Sequence, residues 1–481
     1  MKIEFGQWLP DQPPLDNPGC TQAKNVIPRA NAYSQLRALK SFSAALEGAC
    51  LGAISVQDQA GNAQNFAGDS RKLYKYDGTN ATWSNVSRTA TYAAAVAWNF
   101  DKFGTRVIAA DISNNPQFYD VSSGASTTFQ NLGGSPPNAK YVATIRDFVV
   151  LANISGYPNR VYWSGFNNSE LWTPSLSTQC DFQDLSGRGG DIQGIVPGPY
   201  GVIFQENSIW TMVYSGPPTI FQFDEVERGR GTPSPGSIVY LGGNVFFYDW
   251  SGFFRFDGKA STPIGQEKVD VWFEHNCGDY TSLQGALDRV NRIIIWGFKS
   301  TSAATYNDRI LIYSFALDKW SWGNVTTQYI VERRTVTLTL DQLDAVLPLG
   351  VDLDSIGMDS RAFSSDLALQ AFNSDSQACT FEGDPLHAVI ETREIAFDEH
   401  FSQATAVMPL VDGDDPTITI RFAKRGRQSG SATYSNEIGL NRIGEANRVI
   451  NSRYQRFEVN IRGGFELAKG IDIRGRKAGR R

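Results

Sequence analysis

Short hydrophobic runs separated by turn residues dominate the middle of the chain. Each run has four or five residues, is rich in β-branched or aromatic side chains, and is bounded by Gly, Asn, Asp, Ser or Pro; the clearest are 107–110, 148–151, 201–204, 244–248 and 292–296. Runs of this kind predict β-strands. Between residues 51 and 330 no stretch has a convincing helical period with capping residues, so we expect this region to be all-β.

A repeated aromatic hairpin indicates how these strands are arranged. Tyr76 lies seven residues before Trp83, and Tyr313 lies seven residues before Trp320, with a polar turn inside each pair. Partial copies contain further aromatic residues, namely Tyr119, Tyr162, Trp172 and Phe256. The copies recur roughly every 40 to 50 residues, which is the period of β-propeller blades. We therefore predict a propeller of about five to seven blades over residues 51–330, with these aromatic side chains in the blade cores; a β-sandwich with aromatic hairpins is the alternative.

The regions on either side of the predicted propeller have different patterns. Residues 1–50 place four prolines within nine positions, between Pro10 and Pro18, which predicts an extended arm rather than a helix or a central strand. Residues 331–385 are rich in Asp, Ser and Gly and predict a protruding loop or insertion, with a short helix at 366–372. Residues 386–473 alternate polar and apolar positions, which predicts a small antiparallel β-domain with one wet face.

Both ends of the chain carry candidate assembly residues. The arm contains Phe5, Trp8, Leu9 and Leu15, and apolar anchors of this kind favour an arm that docks on another surface over a free terminus. The basic tail, residues 474–481, contains Arg476, Lys477, Arg480 and Arg481. A solvated tail and an electrostatic contact to an acidic partner or nucleic acid are both compatible with that composition.

Composition and charge restrict the classes of function. The 44 basic and 50 acidic residues give a net charge of −6, which disfavours sequence-independent DNA binding by the whole chain. Apolar runs are all far shorter than the ~18 residues of a membrane-spanning helix, and the N-terminus lacks the pattern of a secretory signal. The five cysteines are scattered and never form a CxxC pair, which is typical of a protein made in a reducing cytoplasm.

The sequence lacks a recognisable catalytic constellation. The histidines, only three in number, form no HExxH motif, and there is no GxSxG or P-loop. We therefore predict neither an enzyme, nor a cofactor, nor a metal site. Paired carboxylates of a glycosidase are the remaining enzymatic option, with Asp181 and Asp184 or Glu225 and Glu227 as candidates.

Several stretches resemble the tail hub or nozzle proteins of short-tailed bacteriophages, including the packaged-DNA-stabilisation family. The likeness spans most of the chain, although each motif is short. The stretches that carry it are 9–19, 23–28, 161–165 with Leu171 and Trp172, 231–239, 242–247, 252–258, 263–265, 453–457 and 468–472. The stretch 331–385 matches no pattern of this family.

The resemblance implies a structural protein of the virion tail, made in the host cytoplasm. Such a protein forms a ring, commonly of six copies, below the portal and head-to-tail adaptor proteins. The ring extends the DNA channel, retains the packaged genome, supports its ejection and carries a tail fibre or needle. A mildly acidic wall agrees with this role, because it repels DNA phosphates and lets the duplex slide. The alternatives are a glycan-binding or glycan-hydrolysing propeller and a cellular propeller that binds other proteins.

Overall fold

The computed structural model describes residues 1–122, 124–303, 305–334, 367–396, 402–413 and 415–477. Within these ranges the chain is mainly β, with one α-helix, α1 (Asp270–Asn276), and one 3₁₀ turn (Pro235–Ser237). The predicted strands at 107–110, 148–151, 201–204, 244–248 and 292–296 all lie in or overlap observed strands. None of the described helices is long and apolar enough to cross a membrane.

Six four-stranded antiparallel blades follow one another along the chain. Blade 1 contains Gly52–Gln57, Ala63–Gly68, Leu73–Asp77 and Thr82–Asn85. Blade 2 contains Asn99–Phe103, Arg106–Asp111, Asn114–Asp120 and Gln130–Asn131. Blade 3 contains Ala139–Ile145, Phe148–Ile154, Tyr157–Trp163 and Asp181–Asp184. Blade 4 contains Ile192–Val196, Gly201–Gln205, Ser208–Gly216 and Ile220–Arg228. Blade 5 contains Val239–Leu241, Asn244–Asp249, Gly252–Phe256 and Ser261–Pro263. Blade 6 contains Cys277–Asp288, Ile293–Ser300, Arg309–Ser314 and Lys319–Gly323.

Blade 7 closes the ring with strands from two distant parts of the chain. Its first three strands are Tyr329–Arg334, Leu367–Phe372 and Gln377–Thr380, and its outer strand is Lys40–Ala45 from the N-terminal region. The first strand of blade 7 contacts the first strands of blades 6 and 1. The fold is therefore a closed seven-bladed propeller, in which blade 7 joins the strand Lys40–Ala45 to strands more than 280 residues later in the chain.

Two predictions made for this region are wrong. The predicted boundary at residue 330 falls one residue inside the first strand of blade 7, so the propeller includes residues 367–380 and 40–45. The helix predicted at 366–372 is wrong over its described residues, because Leu367–Phe372 pairs with a strand on each side and buries its last four side chains. Tertiary pairing outweighs the helix preference of Leu and Ala here. Residues 335–366 lie outside the described residues.

The remaining strands form a β-sandwich attached to blade 6. One sheet contains Val26–Pro28, Tyr33–Gln35, Leu467–Lys477, Ser402–Asp412 and Ala446–Ser452, and Lys2–Glu4 pairs with Leu467–Lys477. The other sheet continues blade 6 through Cys20–Lys24, Ala388–Thr392, Tyr454–Arg462, Thr417–Arg425 and Thr433–Tyr434, with Ile395–Ala396 and Ile438–Gly439 at its margins. One apolar core spans both sheets and blades 5 and 6, so the predicted C-terminal β-domain is joined to the propeller by shared packing.

Candidate assembly surface

The predicted arm lies inside the fold of its own chain. Phe5, Trp8 and Leu9 are buried, and the Trp8 ring packs edge-on against Trp272 at a centroid distance of 4.9 Å. Leu15 is half-buried, and its backbone bridges to Glu394. The arm does dock, but the prediction that its buried anchors serve assembly with another molecule is wrong, because their apolar surface is consumed within the chain.

A carboxylate of the arm fastens it to the junction of blades 5 and 6. Asp11 accepts hydrogen bonds from the backbone N–H groups of Val271 and Trp272, at 2.9 and 2.8 Å, in the first turn of α1. Burial raises the pKa of Asp11, although these hydrogen bonds and His275 oppose that effect. The arm therefore has a structural role in orienting α1.

Five of the eight aromatic residues predicted for the blade cores are buried, whereas Tyr76, Trp83 and Tyr162 are half-buried. Tyr76 and Trp83 are direct cross-strand partners with ring centroids 5.2 Å apart, and Tyr313 and Trp320 repeat the arrangement at 4.5 Å. The other predicted residues are Tyr119, Trp172 and Phe256, which are buried, and Tyr162, which is half-buried 5.8 Å from Trp172. The spacing of seven residues thus corresponds to a tight hairpin with paired aromatics.

The predicted basic tail begins as part of a strand. Arg476 and Lys477 belong to the strand Leu467–Lys477, where their backbones are paired with Gln403 and Ser402. A free tail starting at residue 474 is therefore wrong, because the strand continues to residue 477. Arg480 and Arg481 lie outside the described residues.

The candidate glycosidase carboxylates lie in the outer strands of blades 3 and 4. Arg160 donates two hydrogen bonds to Asp184, at 2.6 and 2.9 Å, and this contact holds the pKa of Asp184 below its usual value. Glu225 pairs with Arg228, and Glu227 accepts hydrogen bonds from the N–H and hydroxyl of Ser261. These carboxylates stabilise the outer strands, and Asp181 lies in the same strand as Asp184.

A buried charge network holds the sandwich together. Glu394 pairs with Arg425 and lies 3.8 Å from Arg456, and Arg456 also lies 3.4 Å from Glu391. Both glutamates are less than 5% exposed. Buried charges are tolerated only when they are paired and hydrogen-bonded, so this network fixes the relative position of three strands and is unavailable to a ligand.

An exposed edge of the sandwich has different properties. The strand Ala446–Ser452 is hydrogen-bonded to a described strand on one side only, and an unpaired strand edge is a template for another chain. Arg448 and Val449 in this strand are exposed, as are Arg442, Ile443 and Arg453 beside it. None of the three arginines makes an ion pair with a described residue. We call these five residues the arginine edge.

The arginine edge was missed by the sequence reasoning. The available signal was the recurrence of arginine between residues 442 and 453 next to isolated aliphatic side chains. This signal was obscured because the same strand buries Ala446 and Ile450, which gives it the pattern of an ordinary core strand.

Charge is divided unevenly between the two parts of the chain. Residues 386–481 contain 16 basic and 12 acidic residues, a net charge of +4, whereas residues 1–385 contain 28 basic and 38 acidic residues, a net charge of −10. The arginine edge thus belongs to a basic part of the chain, whereas the propeller, residues 40–334 and 367–380, has a net charge of −4. Opposite charges on two parts of one chain permit an electrostatic contact between copies.

Comparisons with known proteins identify no family. No protein-family model matches the chain, and no curated protein matches it. Among solved structures, the chain is similar to the computationally designed Ika8 protein, with 9% sequence identity and a TM-score of 0.40 over 78% of this chain and 99% of that chain. A likeness at this level carries no argument about function.

Proposed function

We propose that this chain is a structural hub or nozzle protein of a phage tail, which acts by assembly rather than by catalysis. In this proposal its copies form a ring, commonly a hexamer, below the portal and adaptor proteins in the virion. The ring extends the DNA channel, retains the packaged genome, supports its ejection and carries a fibre or needle. The resemblance of the sequence to tail hub proteins supports the proposal.

The observation that carries this proposal is the arginine edge. It combines a strand at the end of its described sheet with three arginines that lack an acidic partner among the described residues and with exposed Ile443 and Val449. A second copy offers a propeller, residues 40–334 and 367–380, with 23 basic and 27 acidic residues and a net charge of −4. A contact between two different surfaces of identical copies is head-to-tail, and it closes into a ring when the rotation between copies permits.

The acidic propeller also suits a channel wall. A wall of the same sign as the phosphate backbone disfavours the electrostatic contacts that supply most non-specific DNA affinity. DNA can then pass through the ring without being held. The closed propeller adds stiffness, since its blades share cores and blade 7 joins Lys40–Ala45 to Gln377–Thr380.

The test is the mass of the purified chain by light scattering at about 0.1 M and about 1 M salt, where the Debye length falls from about 10 Å to about 3 Å. The wild type is expected to assemble at low salt and to dissociate towards the 53.0 kDa monomer at high salt. The triple variant Arg442→Glu, Arg448→Glu, Arg453→Glu is expected to remain monomeric at both salt concentrations.

A matched control separates the position of the charges from their number. The triple variant Lys140→Glu, Arg188→Glu, Lys259→Glu reverses three exposed charges on the propeller, which changes the net charge equally, and it is expected to assemble like the wild type. A wild type that is monomeric under all conditions, or an edge variant that assembles normally, would contradict the proposal.

A further inference from the structure

A cavity opens on one face of the propeller, lined by residues of blades 4, 5 and 6. Its volume is about 380 Å³, and it is lined by Gln193, Glu206, Asn207, Trp250, Asp279 and Tyr280, among others. This volume lies within the range of small-molecule sites, which is about 300–1,000 Å³. The cavity contains none of the carboxylates considered above and is separate from the arginine edge.

Three blades contribute to the cavity at the same face. Glu206 and Asn207 form the turn between the second and third strands of blade 4, and Trp250 occupies the corresponding turn of blade 5. Asp279 and Tyr280 lie near the start of the first strand of blade 6, where the strand register slips between Asp279 and Gln284. Irregularities of this kind redirect side chains and are frequent next to functional sites.

The aromatic wall combines an anchored ring with an exposed one. Tyr280 stacks on Tyr248 with centroids 5.5 Å apart and an angle of 8° between the rings, and Tyr248 packs in turn on Phe273. Trp250 is 63% exposed, and its only ring contact among the described residues is with Tyr280, at 6.1 Å. Its indole N–H has no hydrogen-bond partner in the described part of the chain. The Trp250 ring is therefore available as an apolar platform beside polar groups.

The polar lining offers both donors and acceptors. Glu206 receives one hydrogen bond, from Gln193 Nε2 at 3.3 Å, and Asp279 Oδ1 receives two from the N–H and hydroxyl of Thr281. Each carboxylate therefore keeps an oxygen that no described group occupies, and the Asn207 amide has no side-chain partner among the described residues. The lining contains no basic residue, so the cavity carries an uncompensated negative charge.

We propose that this cavity binds one unit of a neutral saccharide. A sugar ring has an apolar C–H face that can lie on Trp250, and each hydroxyl group both donates and accepts hydrogen bonds. The carboxylates supply acceptors, and the Asn207 amide and the Trp250 indole supply donors. The negative charge disfavours uronic and sialic acids. A cationic peptide would also be attracted by a carboxylate and a tryptophan, but it would leave these donors unused. The inference concerns binding alone and goes beyond the proposed structural role.

Tryptophan fluorescence and calorimetry test this inference, because Trp250 is the one strongly exposed tryptophan in the described residues. The probes are maltotriose, cellotriose and the trimer of N-acetylglucosamine, with trigalacturonate and triarginine for comparison. At least one neutral trimer is expected to bind and to shield Trp250 from iodide quenching. Trp250→Ala is expected to weaken that binding by about tenfold or more, with an unchanged circular dichroism spectrum.

The control for this experiment is Tyr240→Ala, which removes an exposed aromatic ring from the first strand of the same blade outside the cavity and should leave binding intact. The inference is overturned if no neutral trimer binds, if only trigalacturonate or triarginine binds, or if Trp250→Ala binds as the wild type does. None of these outcomes changes the light-scattering result, so the two proposals can fail separately.

Discussion

The hydroxyl of Ser43 provides a precise test of how the propeller is closed. Ser43 lies in the N-terminal strand Lys40–Ala45 of blade 7 and is 8% exposed. Its Oγ accepts hydrogen bonds from the Ala378 N–H at 3.0 Å and from Trp83 Nε1 at 3.1 Å, and it donates one to the Ala44 carbonyl at 2.8 Å. One donated and two accepted bonds use the full capacity of a hydroxyl.

The expected cost of Ser43→Ala follows from the two donors that lose their acceptor. The Ala378 N–H is buried, and a buried donor without a partner costs about 1–3 kcal/mol. The Trp83 N–H is only partly buried, so the loss of its hydrogen bond to Ser43 costs about 0.5–1.5 kcal/mol, as for an ordinary hydrogen bond. Since Trp83 belongs to blade 1 and Ala378 to blade 7, the substitution weakens the closing seam by about 1.5–4.5 kcal/mol in all.

Urea unfolding, followed by tryptophan fluorescence and circular dichroism, measures this effect. Ser41→Ala is the matched control, because Ser41 lies in the same strand and is exposed, so its loss should cost less than about 0.5 kcal/mol. If Ser43→Ala were as stable as the Ser41 control, the hydrogen-bonded closure of blade 7 would make no contribution to stability.

Two further substitutions have outcomes that the structure predicts. Burial raises the pKa of Asp270 to about 7 from 3.8, so the cost of its buried charge increases as the pH rises through this interval. Asp270→Asn should therefore raise the free energy of unfolding, relative to the wild type, by about 2–3 kcal/mol more at about pH 8 than at about pH 5. An equal increase at both pH values in urea unfolding would refute this. Trp8→Ala should cost about 3–5 kcal/mol in urea unfolding, and the folded variant should keep the wild-type assembly mass because the arm docks within its own chain; a loss of assembly by the folded variant would contradict that interpretation.

Local patterns predicted the aromatic hairpins of blades 1 and 6. The spacing of Tyr76 and Trp83 depends only on a hairpin of a few residues, and the structure pairs them directly. The same holds for Tyr313 and Trp320. Such pairs depend on short-range geometry, which alternation and turn residues report reliably.

Long-range pairing was beyond what the sequence pattern could show. The strand Lys40–Ala45 pairs with Gln377–Thr380 across more than 300 residues, and nothing in the composition of residues 1–50 identifies that partner. The predicted helix at 366–372 failed for the same reason, since its neighbours in blade 7 decide its conformation. The assignment of the arm failed because Phe5 and Trp8 have the character of anchors whether they bind another molecule or their own chain.

The candidate surfaces were also difficult to predict for physical reasons. The arginine edge becomes visible only when Ala446–Ser452 is known to end a sheet. The cavity beside Trp250 requires residues from three blades and a slip in register near Asp279. Neither feature has a contiguous motif, so only the folded chain brings the groups together.

Electron microscopy of the purified wild-type chain at about 0.1 M salt tests the central proposal most directly. The expected class averages are closed rings with a central opening wide enough for duplex DNA, in which the arginine edge of each copy contacts the propeller of the next. Isolated single propellers, or rings in which the arginine edge faces solvent, would contradict it.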